Sequence, residues 1–159
     1  MSKGPSALSD FETRAHALVG RLVMIYSRLD VNLALFVASW RGYDQRTKAL
    51  EELENTSFRA KLDLVFPTVT REYGEDPECN AQWQEWFELA NELRCKRNDL
   101  IHGRWGIDEA RALVSNVIGL PGSRGQLEVT YTLEDLANEV ERAVEVSNRF
   151  SALRKKWPT

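Results

Sequence analysis

Cysteine and histidine are scarce in this chain, with two of each among 159 residues. Cys79 and Cys95 form no CxxC pair, and no Cys/His cluster has the spacing of a zinc site. A disulfide scaffold is excluded on the same count. Two free, buried thiols in a reducing compartment are expected, with no metal and no cofactor. Long apolar runs are missing too. None approaches about 20 residues, so no membrane span is expected. The opening MSKGPSALSD has no apolar core, which argues against a signal peptide and for a cytoplasmic location. Excess positive charge is absent, the formal net charge being −3. Domains that coat long nucleic acid without specificity are usually basic, so that class is disfavoured. A small basic site on an acidic body is still allowed. There is no internal repeat and no low-complexity tract.

What is present fits an ordinary globular protein. Hydrophobic residues make up 43% and charged residues 28%, and this length matches one domain able to bury a core without staples. Residues 1–8 read as a loose leader, and 9–157 as a single helical domain. Phe11, Ala15, Leu18, Leu22, Ile25, Leu29, Leu33, Phe36 and Trp40 recur at steps of four or three, one apolar stripe on a long first helix. Ser9 with Glu12 has the form of a capping box at its start, and Gly42 of a stop. A second helix is marked by Phe58, Leu62, Val65, Val69 and Tyr73, capped by one of Asn55, Thr56 or Ser57. A kink or break is expected at Pro67. The alternating charges over 48–63 read as a solvated helix face.

Asp76 and Pro77 open a third helix, which runs to about His102 with Gly103 as a left-handed stop. ALVSNVIGL and QLEVTYT then read as a β-hairpin over about 112–132, turning through PGSRG. Thr132 with Asp135 caps the last helix, striped by Leu136, Val140, Ala143, Ser147, Phe150 and Leu153. The fold class is therefore mainly α, a helical bundle with a small β-hairpin insertion before the last helix.

The third helix carries the chemistry. Its apolar stripe runs through Trp86, Ala90, Leu93 and Leu100, and the step missing from it is Arg97. A guanidinium in an inward slot is costly unless it is paired or faces a partner. It either forms an ion pair with a neighbouring helix or points into a site. Asn98 lies four residues before His102 and so on the same face, where its amide can orient the imidazole. Arg97 and His102 are about 140° apart around an ideal helix. They converge only if the last turn unwinds or a second subunit contributes. A histidine at a helix C-terminus favours its protonated form. Histidine is also the usual general acid or base, and arginine holds phosphate by paired hydrogen bonds. Together they suit phosphodiester cleavage without metal, by attack of a ribose 2′-hydroxyl. The plainer alternative is a basic helix end that serves the dipole. Arg94, Lys96 and Arg104 are candidate phosphate contacts; Trp105 reads first as core packing, with base stacking on RNA as its functional alternative. His16, one step from the first stripe, reads as a surface residue.

RNDLIH, Arg97 to His102, resembles the signature of the HEPN family: arginine, a polar residue, a short spacer, then histidine. The order of elements over residues 9–156 is similar too, from a long first helix, through a helix bearing SFRAKLDLV, to the motif helix, a β segment and a last helix. The resemblance implies a helical bundle. It also implies a homodimer in which two motif helices meet, and a metal-independent endoribonuclease of toxin or phage-defence type. Arg97 and His102 would then be catalytic and Asn98 supporting, with RNA as substrate and an antitoxin or defence protein as a further partner. Many HEPN domains lack nuclease activity and serve instead as nucleotide-binding or protein-interaction modules, which is the alternative that the resemblance implies.

Overall fold

The computed structural model describes residues 9–158; the expected leader, 1–8, lies outside the described residues. The chain folds as helix α1 (Asp10–Ser39), a 3-10 turn (Tyr43–Gln45), α2 (Arg46–Glu54), α3 (Phe58–Tyr73) and α4 (Pro77–His102), followed by strands β1 (Arg104–Asp108), β2 (Leu113–Ile118) and β3 (Leu127–Tyr131) and then α5 (Leu133–Lys156). The order is mainly helical with a small sheet before the last helix, as the sequence implies. Two elements were not anticipated. The charged run over 48–63 is split at Asn55–Ser57 into α2 and the start of α3, because Ala49 and Leu53 bury one face of the shorter helix. The hairpin is the outer two-thirds of a three-stranded antiparallel sheet of order β1-β2-β3.

The caps form where polar side chains precede apolar periodicity. Ser57 accepts from the Ala60 N–H at 3.2 Å. The Asp76 carboxylate accepts from the Glu78 and Cys79 N–H groups, ahead of Pro77. Thr132 and Asp135 complete a reciprocal capping box. At α1 only half of the expected box is made. The Ser9 hydroxyl accepts from the Glu12 N–H at 3.0 Å, and the described residues show no return bond from the Glu12 carboxylate. Gly42 sits at φ +82°, the left-handed region expected of the stop. Pro67 does not break α3. Asp63, whose carbonyl loses its partner there, is exposed, so solvent takes that bond.

The core lies where α1, α3, α4 and α5 meet. Phe36 stacks on Trp83 at 5.3 Å, and Trp86 on Phe150 at 4.9 Å between centroids. The Trp86 indole N–H donates to the Val146 carbonyl at 3.0 Å, fixing α4 against α5. On α5 the buried residue in the middle of the stripe is Val146; Ser147 is only half-buried. An 18-residue window of α1 has a mean hydropathy of 1.5, long and apolar enough by composition to cross a membrane, contrary to expectation. Its apolar residues Leu22, Leu29, Leu33 and Phe36 are buried in this core. Of the thiols, Cys79 is buried as expected, but Cys95 is exposed, because position 95 falls outside the α4 stripe.

Candidate functional site

The buried face of α4 runs Cys79, Trp83, Trp86, Ala90, Leu93 and Leu100. Steps of four and three leave one slot, and Arg97 occupies it half-buried. No carboxylate lies within ion-pairing distance of Arg97 among the described residues. Its one side-chain hydrogen bond there goes to the neighbouring Asn98 carbonyl oxygen at 3.1 Å. The intrachain ion pair that was the plain alternative is therefore not formed. The guanidinium lies close enough to the buried Tyr26 hydroxyl of α1 to act on it. Burial, with Glu139 and Tyr131 nearby, holds that phenol well above its ordinary range, and Arg97 partly opposes the shift.

His102 is the last residue of α4 and is exposed. Its imidazole makes no hydrogen bond among the described residues, and the Asn98 oxygen is held by Arg97 instead. The expected orienting role of Asn98 thus takes another form in the single chain: Asn98 positions Arg97. The helix closes with the Gly103 N–H donating to the Asp99 carbonyl at 3.0 Å. Gly103 is not the left-handed stop expected. It sits at φ −78° and ψ 156°, extended backbone that leads straight into β1. Glycine is required for a different reason: a Cβ there would overlap the side-chain amide of Asn116 on β2. Asn116 is 1% exposed, and both its amide atoms lack partners among the described residues. The turn that presents His102 is thus packed against a buried polar group.

The other candidate residues divide. Arg104 opens β1, is exposed, and pairs across the sheet with Val117, on the face away from the core. It follows His102 by two residues and makes no ion pair among the described residues. Lys96 belongs to a separate cluster. Its ammonium lies 3.4 Å from the Glu139 carboxylate and 5.0 Å from the Tyr131 ring centre. Burial pulls its pKa down, but Tyr131 and Glu139 more than offset that and hold it above the ordinary lysine value. Lys96 is thus engaged within the fold, between α5 and β3. Arg94 donates to the Asn91 side chain at 3.1 Å and lies 3.2 Å from the Cys95 sulfur. The recess of about 510 Å³ on that side is lined by Glu92, Asp99, Glu139 and Glu145 against Lys96 and Arg142, and this acidic balance disfavours an anion there. Trp105 is half-buried. Its indole N–H donates to the Leu100 carbonyl at 2.9 Å, and its ring tilts against Tyr131 at 6.2 Å. Its ring packs between α4 and the sheet, not as an open stacking platform. No group of three or more metal-ligating side chains occurs among the described residues.

Sequence reasoning missed Tyr26 and Asn116. Tyr26 falls one position from the Ile25 read into the stripe of α1, and Asn116 sits within a run read only as apolar strand. Neither carries a local signal.

No protein-family model matches the chain, and neither a curated protein nor a solved structure matches it. The likeness to HEPN domains rests on the RNDLIH motif and the order of elements.

Proposed function

We propose that the protein is a HEPN-like, metal-independent endoribonuclease that acts as a homodimer. One observation carries this reading. A half-buried guanidinium sits in a slot of the core stripe, on the same helix end as an exposed histidine, and among the described residues the first has no carboxylate partner and the second no hydrogen bond. Among the described residues no carboxylate repays the desolvation of Arg97, so its partner is sought outside the single chain. A phosphodiester supplies that partner through paired N–H···O bonds. His102 takes the proton of the ribose 2′-hydroxyl. The oxygen attacks the adjacent phosphorus, the bond to the 5′-oxygen breaks, and that oxygen leaves after protonation by an imidazolium. Arg97 balances the charge on the pentavalent phosphate. The products are a 2′,3′-cyclic phosphate and a 5′-hydroxyl. The angular separation of Arg97 and His102 on one helix favours a site completed by a second copy.

The test is cleavage of RNA by purified protein in EDTA, with the ends of the products identified. Wild type cuts, while Arg97→Ala and His102→Ala each lose at least a hundred-fold, the ordinary cost of a general acid–base or charge-stabilising group. Undiminished cleavage by both variants removes the assigned roles.

A second reading is favoured by the Asn98 contact. Since Asn98 holds Arg97 and leaves His102 unoriented, a catalytically silent module that binds a nucleotide or a protein through Arg97 also fits. It predicts a measurable complex, no cleavage under any condition, and tolerance of His102→Ala. A toxin or phage-defence setting, with an antitoxin or defence protein as partner, belongs to the first reading by resemblance alone.

A further inference from the structure

Two recesses run along α1 on the side facing β1. The larger, of about 380 Å³, lies among Glu12, His16, Val19, Trp105 and Ile107. The smaller, of about 210 Å³, continues past Val23 to Ile101, the residue before His102. Both are lined by Val19 and Trp105, so they meet end to end and reach the end of the motif helix. Apolar walls with a few convergent polar groups are the usual make-up of a small-molecule site. Here the floor is Ala15 and Val114, at 1% and 2% exposure, and the polar groups are Glu12 and His16 on successive turns of α1. The Glu12 carboxylate has no ion-pair or hydrogen-bond partner among the described residues, despite standing where a capping box would fold it back on Ser9.

We propose that this recess is a guanine-binding subsite. Guanine is the base whose Watson–Crick edge offers two adjacent N–H donors beside one carbonyl acceptor. A carboxylate accepts from both donors at once, and His16, one turn further along the same wall, supplies an N–H for the carbonyl. Adenine and cytosine each offer one amine, and uracil one ring N–H, so none matches a carboxylate with two bonds. The apolar walls, with Val19 and Ile107, take the faces of the ring. The subsite rests on the ribonuclease reading for its meaning in RNA: a guanosine seated here places its phosphate toward the end of α4. Its ligand chemistry stands on the recess itself.

The experiment titrates the protein with each of the four nucleoside 5′-monophosphates and follows the Trp105 indole N–H by NMR, assigned with Trp105→Phe. Guanosine monophosphate gives saturable shifts and binds roughly ten-fold or more tightly than the other three, and Glu12→Gln removes that preference. In parallel, an RNA containing all four bases is cut in EDTA and the cleavage sites are mapped. Cutting beside guanosine, lost as a preference in Glu12→Gln with cleavage retained, supports the subsite. Cutting with no base preference, or equal shifts from all four nucleotides, overturns it and leaves the nuclease reading standing. Guanine-selective shifts without any cleavage overturn the nuclease reading and leave the subsite standing. No shift with any nucleotide overturns the subsite.

Discussion

Arg97 offers the sharpest separation of stability from function. If it were a structural arginine, replacing it would leave a polar partner unpaired and cost several kcal/mol. The described residues give it no carboxylate, only the side chain of Asn98, which is half-exposed and able to bond water instead. Replacing Arg97 with Met keeps the length of the side chain and completes the stripe between Leu93 and Leu100. Full burial of such a side chain contributes about 1.5–3 kcal/mol. A half-buried slot yields about half of that, and the lost Asn98 bond subtracts about 0.5 kcal/mol. Arg97→Met is therefore expected to raise stability by roughly 0.25–1 kcal/mol. For a chain of this size that is about 0.5–4 °C in Tm. Urea unfolding followed by tryptophan fluorescence measures it, since Trp83 and Trp86 are buried in the core. RNA cleavage by the same variant falls at least a hundred-fold. A loss of more than about 2 kcal/mol on Arg97→Met would refute the reasoning, because it would mean that the guanidinium holds the fold together.

Further outcomes are expected elsewhere. Lys61, whose side chain is 5% exposed, pairs with Asp30 at 2.8 Å and ties α3 to α1; Asp30→Ala strands that cation and costs about 3 kcal/mol in urea unfolding. Gly103→Ala drives a Cβ into the Asn116 amide and costs about 1–3 kcal/mol, while Asn116→Ala in the same chain restores much of it, as a double-mutant cycle measures. Bonds from the Thr132 N–H and hydroxyl hold the Asp135 carboxyl below its ordinary range. A lowered folded-state pKa gives stability that is full above the unfolded value of about 3.9 and is lost as pH falls below it. The stability difference between wild type and Asp135→Asn is therefore steady in urea titrations at higher pH and narrows as pH falls below about 4, and a gap that widens toward acid would contradict the cap.

How much of this was legible in the sequence depends on the range of the interaction. The helices α1, α3, α4 and α5 could be read because their stripes and caps are local. Ser57, Asp76 and Thr132 all cap where periodicity begins. The slot at Arg97 was legible for the same reason. Strand β1 was not, since RWGID is short, contains a glycine and follows a helix without a break; only pairing with β2 makes it a strand. The role of Gly103 was misread because its constraint comes from Asn116, on β2, and not from its own φ. Lys96, read as an RNA contact, is claimed by Glu139 and Tyr131, and Trp105, read first as a core ring with base stacking as the alternative, by the Leu100 carbonyl, partners that composition cannot reveal.

The most direct measurement is complementation in EDTA between Arg97→Ala and His102→Ala, each purified and then mixed under conditions that exchange subunits. In a site built from Arg97 of one copy and His102 of the other, each variant alone is inactive, and the mixed dimer regains one intact site and part of the wild-type RNA cleavage. Wild type that cuts no RNA, or either variant that cuts as fast as wild type, would contradict the central claim. A mixture as inactive as its components would contradict the shared site.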